Sequence, residues 1–168
     1  PEVDPDRIGV MGHSLGGHGS YYLAAYDDRI KAAVCNCGGP GAMRYKPGGA
    51  GSMRASGYVY MKHLRPGLLR DELPPIDVHE IISLIAPRAY LDVSALNDGN
   101  PLTQRQRVLM LMKIADVYEL LGKADNFAFF VHGRHHSIPY ESRELIYGFL
   151  DTYLKPIEAT KARLVVGQ

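Results

Sequence analysis

The sequence is poor in cysteine, in excess charge of either sign and in long hydrophobic runs. Its 19 basic and 18 acidic side chains leave a formal net charge of +1, which argues against general attraction to nucleic acid or to a membrane surface. No apolar stretch approaches the roughly 20 residues needed to cross a bilayer, so no membrane span is predicted. No signal peptide is visible either. With 46% hydrophobic residues over 168 positions, the chain can instead build one core of ordinary size.

The two cysteines, Cys35 and Cys37, are separated by one residue on a predicted strand. Side chains two apart on a strand share a face, but a disulfide between them would be strained. A C-x-C pair without other nearby ligands is weak evidence for metal, so we expect core packing and no metal site. Free thiols favour a reducing compartment, and the expected location is the cytoplasm.

The most informative segment runs from Gly12 to Gly16, Gly-His-Ser-Leu-Gly, with a further glycine after it. It stands between a short apolar run and a segment with helical spacing, the strand–turn–helix context of a nucleophile elbow. Such a turn holds Ser14 in a strained backbone conformation, and the flanking glycines let strand and helix approach closely. The Leu15 backbone N–H and the positive end of the helix would then face an oxyanion forming at the serine. The alternative is a glycine-rich turn whose serine has no catalytic role.

A nucleophilic serine needs an orienting acid, and the sequence offers two candidates. Asp98 lies in the loop after predicted strand 88–94, although an aspartate before a glycine is also a common turn-former. Asp92 stands inside that strand and would need a buried partner. We therefore predict Asp98 as the acid.

The base is expected in the histidine cluster at the end of predicted strand 126–132. His132 ends that strand, and we expect it to pack there. His135 and His136 lie in the following loop and can reach over the sheet edge toward the serine, so both stay open at this point. Nucleophile, acid and base thus follow three strands in the chain order serine, acid, histidine.

These residues resemble the C-terminal half of an α/β-hydrolase catalytic domain, in the branch of dienelactone hydrolases, acetylxylan-type esterases and prolyl-oligopeptidase-like enzymes. The likeness covers nearly all of the chain except its C-terminal end and much of 40–75. The segments that carry it are 4–17, 28–34, 84–88, 95–98 and 141–144. The resemblance implies Ser14 as nucleophile, Asp98 as acid and His136 as base. His135 is the alternative base, but His136 fits the family's spacing better because an apolar residue and a proline follow it.

The resemblance implies a partial α/β-hydrolase fold, a mostly parallel sheet of about four strands flanked by helices, with the N-terminal strands absent. The apolar periodicity agrees: it predicts strands 7–12, 30–36, 88–94 and 126–132 and helices 15–26, 77–85, 101–121 and 140–154. Helix 101–121 is expected to bury one stripe: Val108, Leu111, Met112, Ala115, Tyr118 and Leu121. We expect one catalytic half-domain over 1–154, an irregular insertion at 38–75 and a C-terminal tail at 155–168.

A sheet that begins at the elbow strand would lack two features of the complete fold. The loop that usually gives the second oxyanion donor would lie outside the chain, and the elbow strand would be a bare sheet edge. We therefore expect either a homo-oligomer or association with a missing N-terminal half.

The glycine- and proline-rich insertion follows the carboxyl end of a strand, where loops of open α/β sheets cover the active site. Within it Met43, Arg44, Tyr58 and Tyr60 are candidates for substrate binding, together with His13 of the elbow. An ordinary surface insertion with solvated basic residues is the alternative.

The expected activity is hydrolysis of a small carboxylic ester with a short acyl group, through a serine acyl-enzyme that needs no metal or organic cofactor. A peptidase or amidase of the prolyl-oligopeptidase type is one alternative. The other is a truncated, non-catalytic hydrolase-like module that serves in binding or assembly.

Overall fold

The structure is a computed structural model that describes residues 3–39, 66–67, 70, 72, 74–98 and 101–155. Strands and helices alternate in this part of the chain: β1 (Ile8–His13), α1 (Leu15–Tyr26), β2 (Ile30–Asn36), α2 (Val78–Ser83), β3 (Ala89–Ala95), α3 (Pro101–Leu120), β4 (Phe127–His132) and α4 (Tyr140–Leu154). Each predicted strand and helix is present, with its ends displaced by at most two residues. No helix among the described residues is both long and apolar enough to cross a membrane.

The four strands form one parallel sheet in the order β1-β2-β3-β4. In its register Met11 pairs with Val34, Val34 with Leu91, and Leu91 with Ala128. Because all four strands run the same way, their carboxyl ends meet at one edge of the sheet, where open α/β sheets bind ligands. The parallel sheet flanked by helices confirms the predicted α/β class, and its topology brings the elbow and both candidate loops to that edge.

Helices cover both faces of the sheet, and each face has its own apolar core. On one face Tyr90 of β3 is buried with residues of α1, α2 and α3, among them Tyr21, Ile82 and Ile114. On the other face Val34, Leu91 and Val93 are buried against Ile146 of α4. Fully burying an aliphatic or aromatic side chain of this size contributes about 1.5–3 kcal/mol. The inner strands β2 and β3 are therefore apolar along most of their length, as strands covered on both faces are.

The predicted apolar stripe of α3 is only partly right. Leu111 and Tyr118 are fully buried, and Ile114 between them is buried as well. Three other members of the predicted stripe are 41%, 48% and 50% exposed: Val108, Met112 and Leu121. The helix carries more apolar side chains than one face can hold, so the periodicity alone did not fix which face meets the sheet.

Candidate active site

Ser14 lies at the junction of β1 and α1, with a positive φ of 57° and ψ of −118°. A non-glycine residue rarely adopts such a conformation because it strains the backbone. The Ser14 N–H donates to the Asn36 carbonyl oxygen at 2.8 Å, which ties the turn to the end of β2. Leu15 is the first residue of α1, so its N–H has no acceptor within the helix and lies at the positive helix end. The sharp strand–serine–helix turn expected from the sequence is present.

Gly12 and Gly17 leave room for the turn, whereas Gly12 and Gly16 were expected to do so. A Cβ on Gly12 would lie 2.0 Å from the Gly16 carbonyl oxygen, and a Cβ on Gly17 would lie 3.0 Å from Cys35 Sγ. A Cβ on Gly16 would meet none of the described residues within 4 Å. The expectation that Gly16 gives room through its missing side chain is therefore wrong. Gly16 instead supplies the backbone against which Gly12 packs.

Asp98 and His136 form a close pair at the same edge of the sheet. Asp98 Oδ2 lies 2.7 Å from His136 Nδ1. The two side chains are 25% and 45% exposed, so a ligand arriving at this edge can reach the ring. A neutral imidazole that donates its Nδ1–H to a carboxylate presents Nε2 as an acceptor, which is the arrangement a general base requires.

The alternative base, His135, is held in a different way. Its φ is 56°, and its backbone N–H donates to Asn97 Oδ1 at 2.7 Å. Asn97 Nδ2 in turn donates to the Gly133 carbonyl oxygen at 3.1 Å. The Asn97 side chain thus fastens the histidine loop beside the acid, in a position where Asp98 meets His136. The geometry favours His136 over His135 as base.

Asn36 links the elbow to the histidine loop. Its Nδ2 lies 2.7 Å from His13 Nδ1 and donates to the Ser137 carbonyl oxygen at 3.1 Å. The His13 and His136 rings lie 4.7 Å apart, centroid to centroid. Burial lowers the pKa of His13 and the neighbouring His136 lowers it further, against an opposing effect of Asp98. The lowered pKa favours the neutral ring of His13, whose Nδ1 can accept from Asn36 Nδ2.

The predicted nucleophile, Ser14, and the predicted base, His136, are neighbours in the described part of the chain. In the described part of the chain, His136 contacts the Asp98 carboxylate and the His13 ring, and no hydrogen bond joins it to the Ser14 hydroxyl. In free enzymes this bond is often long, and it shortens in the substrate complex. Since His13 directly precedes Ser14, the ring contact places His136 next to the elbow. The structure thus brings Ser14, Asp98 and His136 to one edge, while their catalytic roles stay predictions.

The rival acid, Asp92, is fully buried in β3. It accepts hydrogen bonds from Ser94 Oγ and from the Tyr90 hydroxyl, two neighbours on its own strand. Burial raises the pKa of Asp92 to about 6, although the Ser94 bond, the Arg107 charge and the Tyr90 bond lower it. A carboxyl engaged in this way does not orient a histidine, so the geometry favours Asp98 as the acid.

Replacing Asp92 with asparagine should change how stability depends on pH. Between about pH 4 and about pH 6 the unfolded chain loses this proton while the folded chain keeps it, because the ordinary pKa of 3.8 rises to about 6 on folding. The contribution of Asp92 to wild-type stability therefore falls as the pH rises through this window, by about 3 kcal/mol at ~1.36 kcal/mol per pH unit. The variant lacks this loss. Urea denaturation of both proteins across the window measures the difference in free energy of unfolding, and a pH-independent difference would contradict the prediction.

Some predicted residues cannot be placed, and two linking residues were not predicted. The substrate-binding candidates in the insertion lie outside the described residues: Met43, Arg44, Tyr58 and Tyr60. His132 is buried at the end of β4 and accepts a hydrogen bond from the Arg134 N–H. Sequence reasoning missed Asn36 and Asn97. Asn36 and Asn97 share one feature in the sequence that could have identified them. Each is an amide side chain at or just after the carboxyl end of a buried strand.

A parallel sheet, a positive-φ serine between strand and helix, and an acid–histidine pair after later strands define a member of the α/β-hydrolase superfamily. Comparison with known families gives a finer assignment. The family described as "Glucuronyl esterase, fungi" matches residues 1–122, and the chain belongs to this glucuronyl esterase family.

The individual relatives are named as a hydrolase, a carbohydrate esterase and a glucuronoyl esterase. The chain is 34% identical to YtaP of Bacillus subtilis (strain 168) over 125 residues, which cover 74% of this chain and 38% of YtaP. It is 30% identical over 108 residues to carbohydrate esterase MZ0003 from an unknown prokaryotic organism, covering 58% of this chain and 24% of that protein. A carbohydrate esterase family 15 glucuronoyl esterase from Caldicellulosiruptor kristjansonii has a similar structure, with a TM-score of 0.68 and 25% identity over 92% of this chain and 45% of that one. The chain thus spans less than half the length of each of these relatives.

Proposed function

We propose that this protein is a serine esterase that hydrolyses esters of a uronic acid through an acyl-enzyme on Ser14. The proposal rests above all on the 2.7 Å contact between Asp98 Oδ2 and His136 Nδ1 beside the elbow. Such a pair can accept the proton of a hydroxyl and stabilise the cation that results. Membership of a family of esterases supports an ester bond, rather than an amide bond, as the bond that is cleaved.

In the proposed first step, Ser14 Oγ attacks the ester carbonyl carbon while His136 Nε2 takes its proton. Asp98 holds the ring through Nδ1 and stabilises the imidazolium. The Leu15 N–H donates to the tetrahedral oxyanion, and collapse passes the His136 proton to the departing alcohol. Water then attacks the acyl group on Ser14 with His136 again as base, which releases the acid and restores the serine.

The proposed acyl group is uronoyl, as the family's description suggests, and the short acyl group expected from the sequence is the alternative. Recognition of the sugar is proposed for the insertion, through Met43, Arg44, Tyr58 and Tyr60. The second oxyanion donor is proposed to come from residues beyond those described, in an N-terminal half or in a second copy of the chain. The chemistry of the steps above requires no cofactor.

The test combines turnover with covalent labelling of the purified protein. We expect hydrolysis of methyl glucuronate to methanol and glucuronate, with a kcat/KM above that for methyl acetate, which has the same leaving group. A fluorophosphonate should add once, at Ser14, with loss of fluoride, and intact-mass measurement should detect the adduct. Ser14→Ala is the matched control, and it should lose both the adduct and the turnover.

Other outcomes would change the proposal in defined ways. Faster hydrolysis of the acetyl ester would favour a short-acyl esterase, and cleavage of a peptide amide would favour the peptidase alternative. A folded protein that forms no adduct and turns over neither ester would contradict the proposal and leave the non-catalytic module.

A further inference from the structure

Cys37 directly follows β2 and faces the candidate active site. Its φ of 50° turns the chain sharply after the strand, and its N–H donates to the Val93 carbonyl oxygen at 2.7 Å. The thiol donates to the Ser137 carbonyl oxygen at 3.4 Å, one residue after His136. The residue is buried, and it is a free thiol. Nothing in the proposed ester hydrolysis uses it.

Cys37 completes a cluster of three different ligand types. Its Sγ, a carboxylate oxygen of Asp98 and a ring nitrogen of His136 all lie within 4.8 Å of one another. Thiolate, imidazole and carboxylate are the ligand types that zinc binds in proteins. We propose that Cys37, Asp98 and His136 bind Zn²⁺, and that the bound ion inhibits the enzyme.

The geometry requires only small adjustments to accept the ion. Bond lengths of about 2.0 Å to nitrogen or oxygen and about 2.3 Å to sulfur place tetrahedral ligands roughly 3.3–3.8 Å apart. Cys37 Sγ lies within 4.8 Å of the other two ligand atoms, so it must move closer by as much as about 1.3 Å, and the 2.7 Å Asp98–His136 contact must open by about 0.6 Å. Both loop side chains are partly exposed, which leaves them room to move. Binding displaces the thiol proton to solvent, so the ligand is the thiolate.

The inhibitory part of the inference rests on the proposed function. An ion held by Asp98 and His136 separates the proposed acid from the proposed base. Asp98 then no longer orients the His136 ring through Nδ1 or stabilises the imidazolium that the proposed reaction forms. No metal site was expected from the sequence because no other ligand residue lies near Cys35 and Cys37 in the chain. The fold supplies the missing ligands from the loops after β3 and β4, and the other cysteine, Cys35, lies outside the cluster. Zn²⁺ here is an inhibitor and not a cofactor.

The test measures binding of the metal alone before any activity. Calorimetric titration of the purified protein with ZnCl₂ should show one site per chain, reversed by EDTA, and Co²⁺ should give a thiolate-to-cobalt charge-transfer band. Cys37→Ser and Cys37→Ala should abolish the band and weaken Zn²⁺ binding on the order of 100-fold, since outer-shell changes alone cost 10–100-fold. Cys35→Ser is the matched thiol control, and it should retain both.

Ester hydrolysis provides the second measurement. The half-inhibitory Zn²⁺ concentration should rise in Cys37→Ser by the same factor as the dissociation constant. The proposal is overturned if the wild type shows no saturable Zn²⁺ binding, or if Cys37→Ser and Cys35→Ser bind Zn²⁺ with equal affinity. It is also overturned if His136→Ala retains the wild-type affinity. That result would place the ion between Cys37 and His132, whose Nε2 lies 4.0 Å from Cys37 Sγ. A protein that binds zinc in this way yet hydrolyses no ester would refute the proposed function alone.

Discussion

Asp98→Asn is expected to lower kcat/KM for ester hydrolysis by roughly 10⁴-fold, the loss seen when the acid of a serine triad becomes an amide. The reason is the 2.7 Å contact between Asp98 Oδ2 and His136 Nδ1. An asparagine can donate its NH₂ to His136 Nδ1, so Nδ1 becomes the acceptor and the ring proton moves to Nε2. A protonated Nε2 cannot accept the proton of Ser14. Steady-state kinetics with methyl glucuronate would measure the effect, and circular dichroism would show whether the fold is retained.

Asp92→Asn is the matched control for that experiment. It makes the same change of atoms six residues earlier in the chain, in a buried carboxyl that bonds to Ser94 and Tyr90. We expect it to alter stability while leaving kcat/KM within about tenfold of the wild type at neutral pH. If Asp92→Asn proved the more damaging to kcat/KM in a folded protein, Asp92 would replace Asp98 as the acid.

Gly12→Ala is expected to have the largest effect on stability, a loss of at least about 3 kcal/mol or failure to fold. The added Cβ would lie 2.0 Å from the Gly16 carbonyl oxygen and 2.2 Å from its carbonyl carbon. These are backbone atoms at the start of α1, so relief requires the helix to move away from β1 rather than a side chain to rotate. Chemical denaturation, followed by circular dichroism, measures the free energy of unfolding.

Gly16→Ala is the comparison for Gly12→Ala. Its Cβ would meet no atom of the part of the chain that the structure describes within 4 Å, and alanine is favoured over glycine inside a helix by about 0.5–1 kcal/mol. We expect a protein as stable as the wild type or slightly more stable. If Gly12→Ala and Gly16→Ala destabilised the protein equally, the close contact between Gly12 and α1 would not be the reason that position 12 requires glycine.

The order of strands and helices was predictable because the strands are short apolar runs and the helices have apolar residues at helical spacing. The inner strands β2 and β3 are buried on both faces and read as apolar runs, and α1 and α4 were predicted with the bounds they have. The rotation of α3 was not predictable, because exposed Met112 and buried Leu111 are equally apolar in sequence. Only the packing of α3 against α2 and the sheet decides between them.

The candidate site was predictable where chemistry follows chain order, and not where it depends on distance in space. Ser14, Asp98 and His136 each follow a strand, so a parallel sheet brings them to one edge. The bond from Asn36 to the Ser137 carbonyl joins residues 101 positions apart, and no local pattern announces it. The glucuronyl esterase family was not predicted either, because the elbow and the two loops are shared across the superfamily.

Under the proposed function, the positive φ of Ser14 sets folding and catalysis against each other at one residue. A non-glycine side chain in such a conformation costs on the order of 1–3 kcal/mol, and glycine would relieve most of it. Replacing Ser14 with glycine would therefore raise the stability of the fold but remove the hydroxyl. The proposed nucleophile would thus give up stability for reactivity, and improved stability should be sought at positions other than 14.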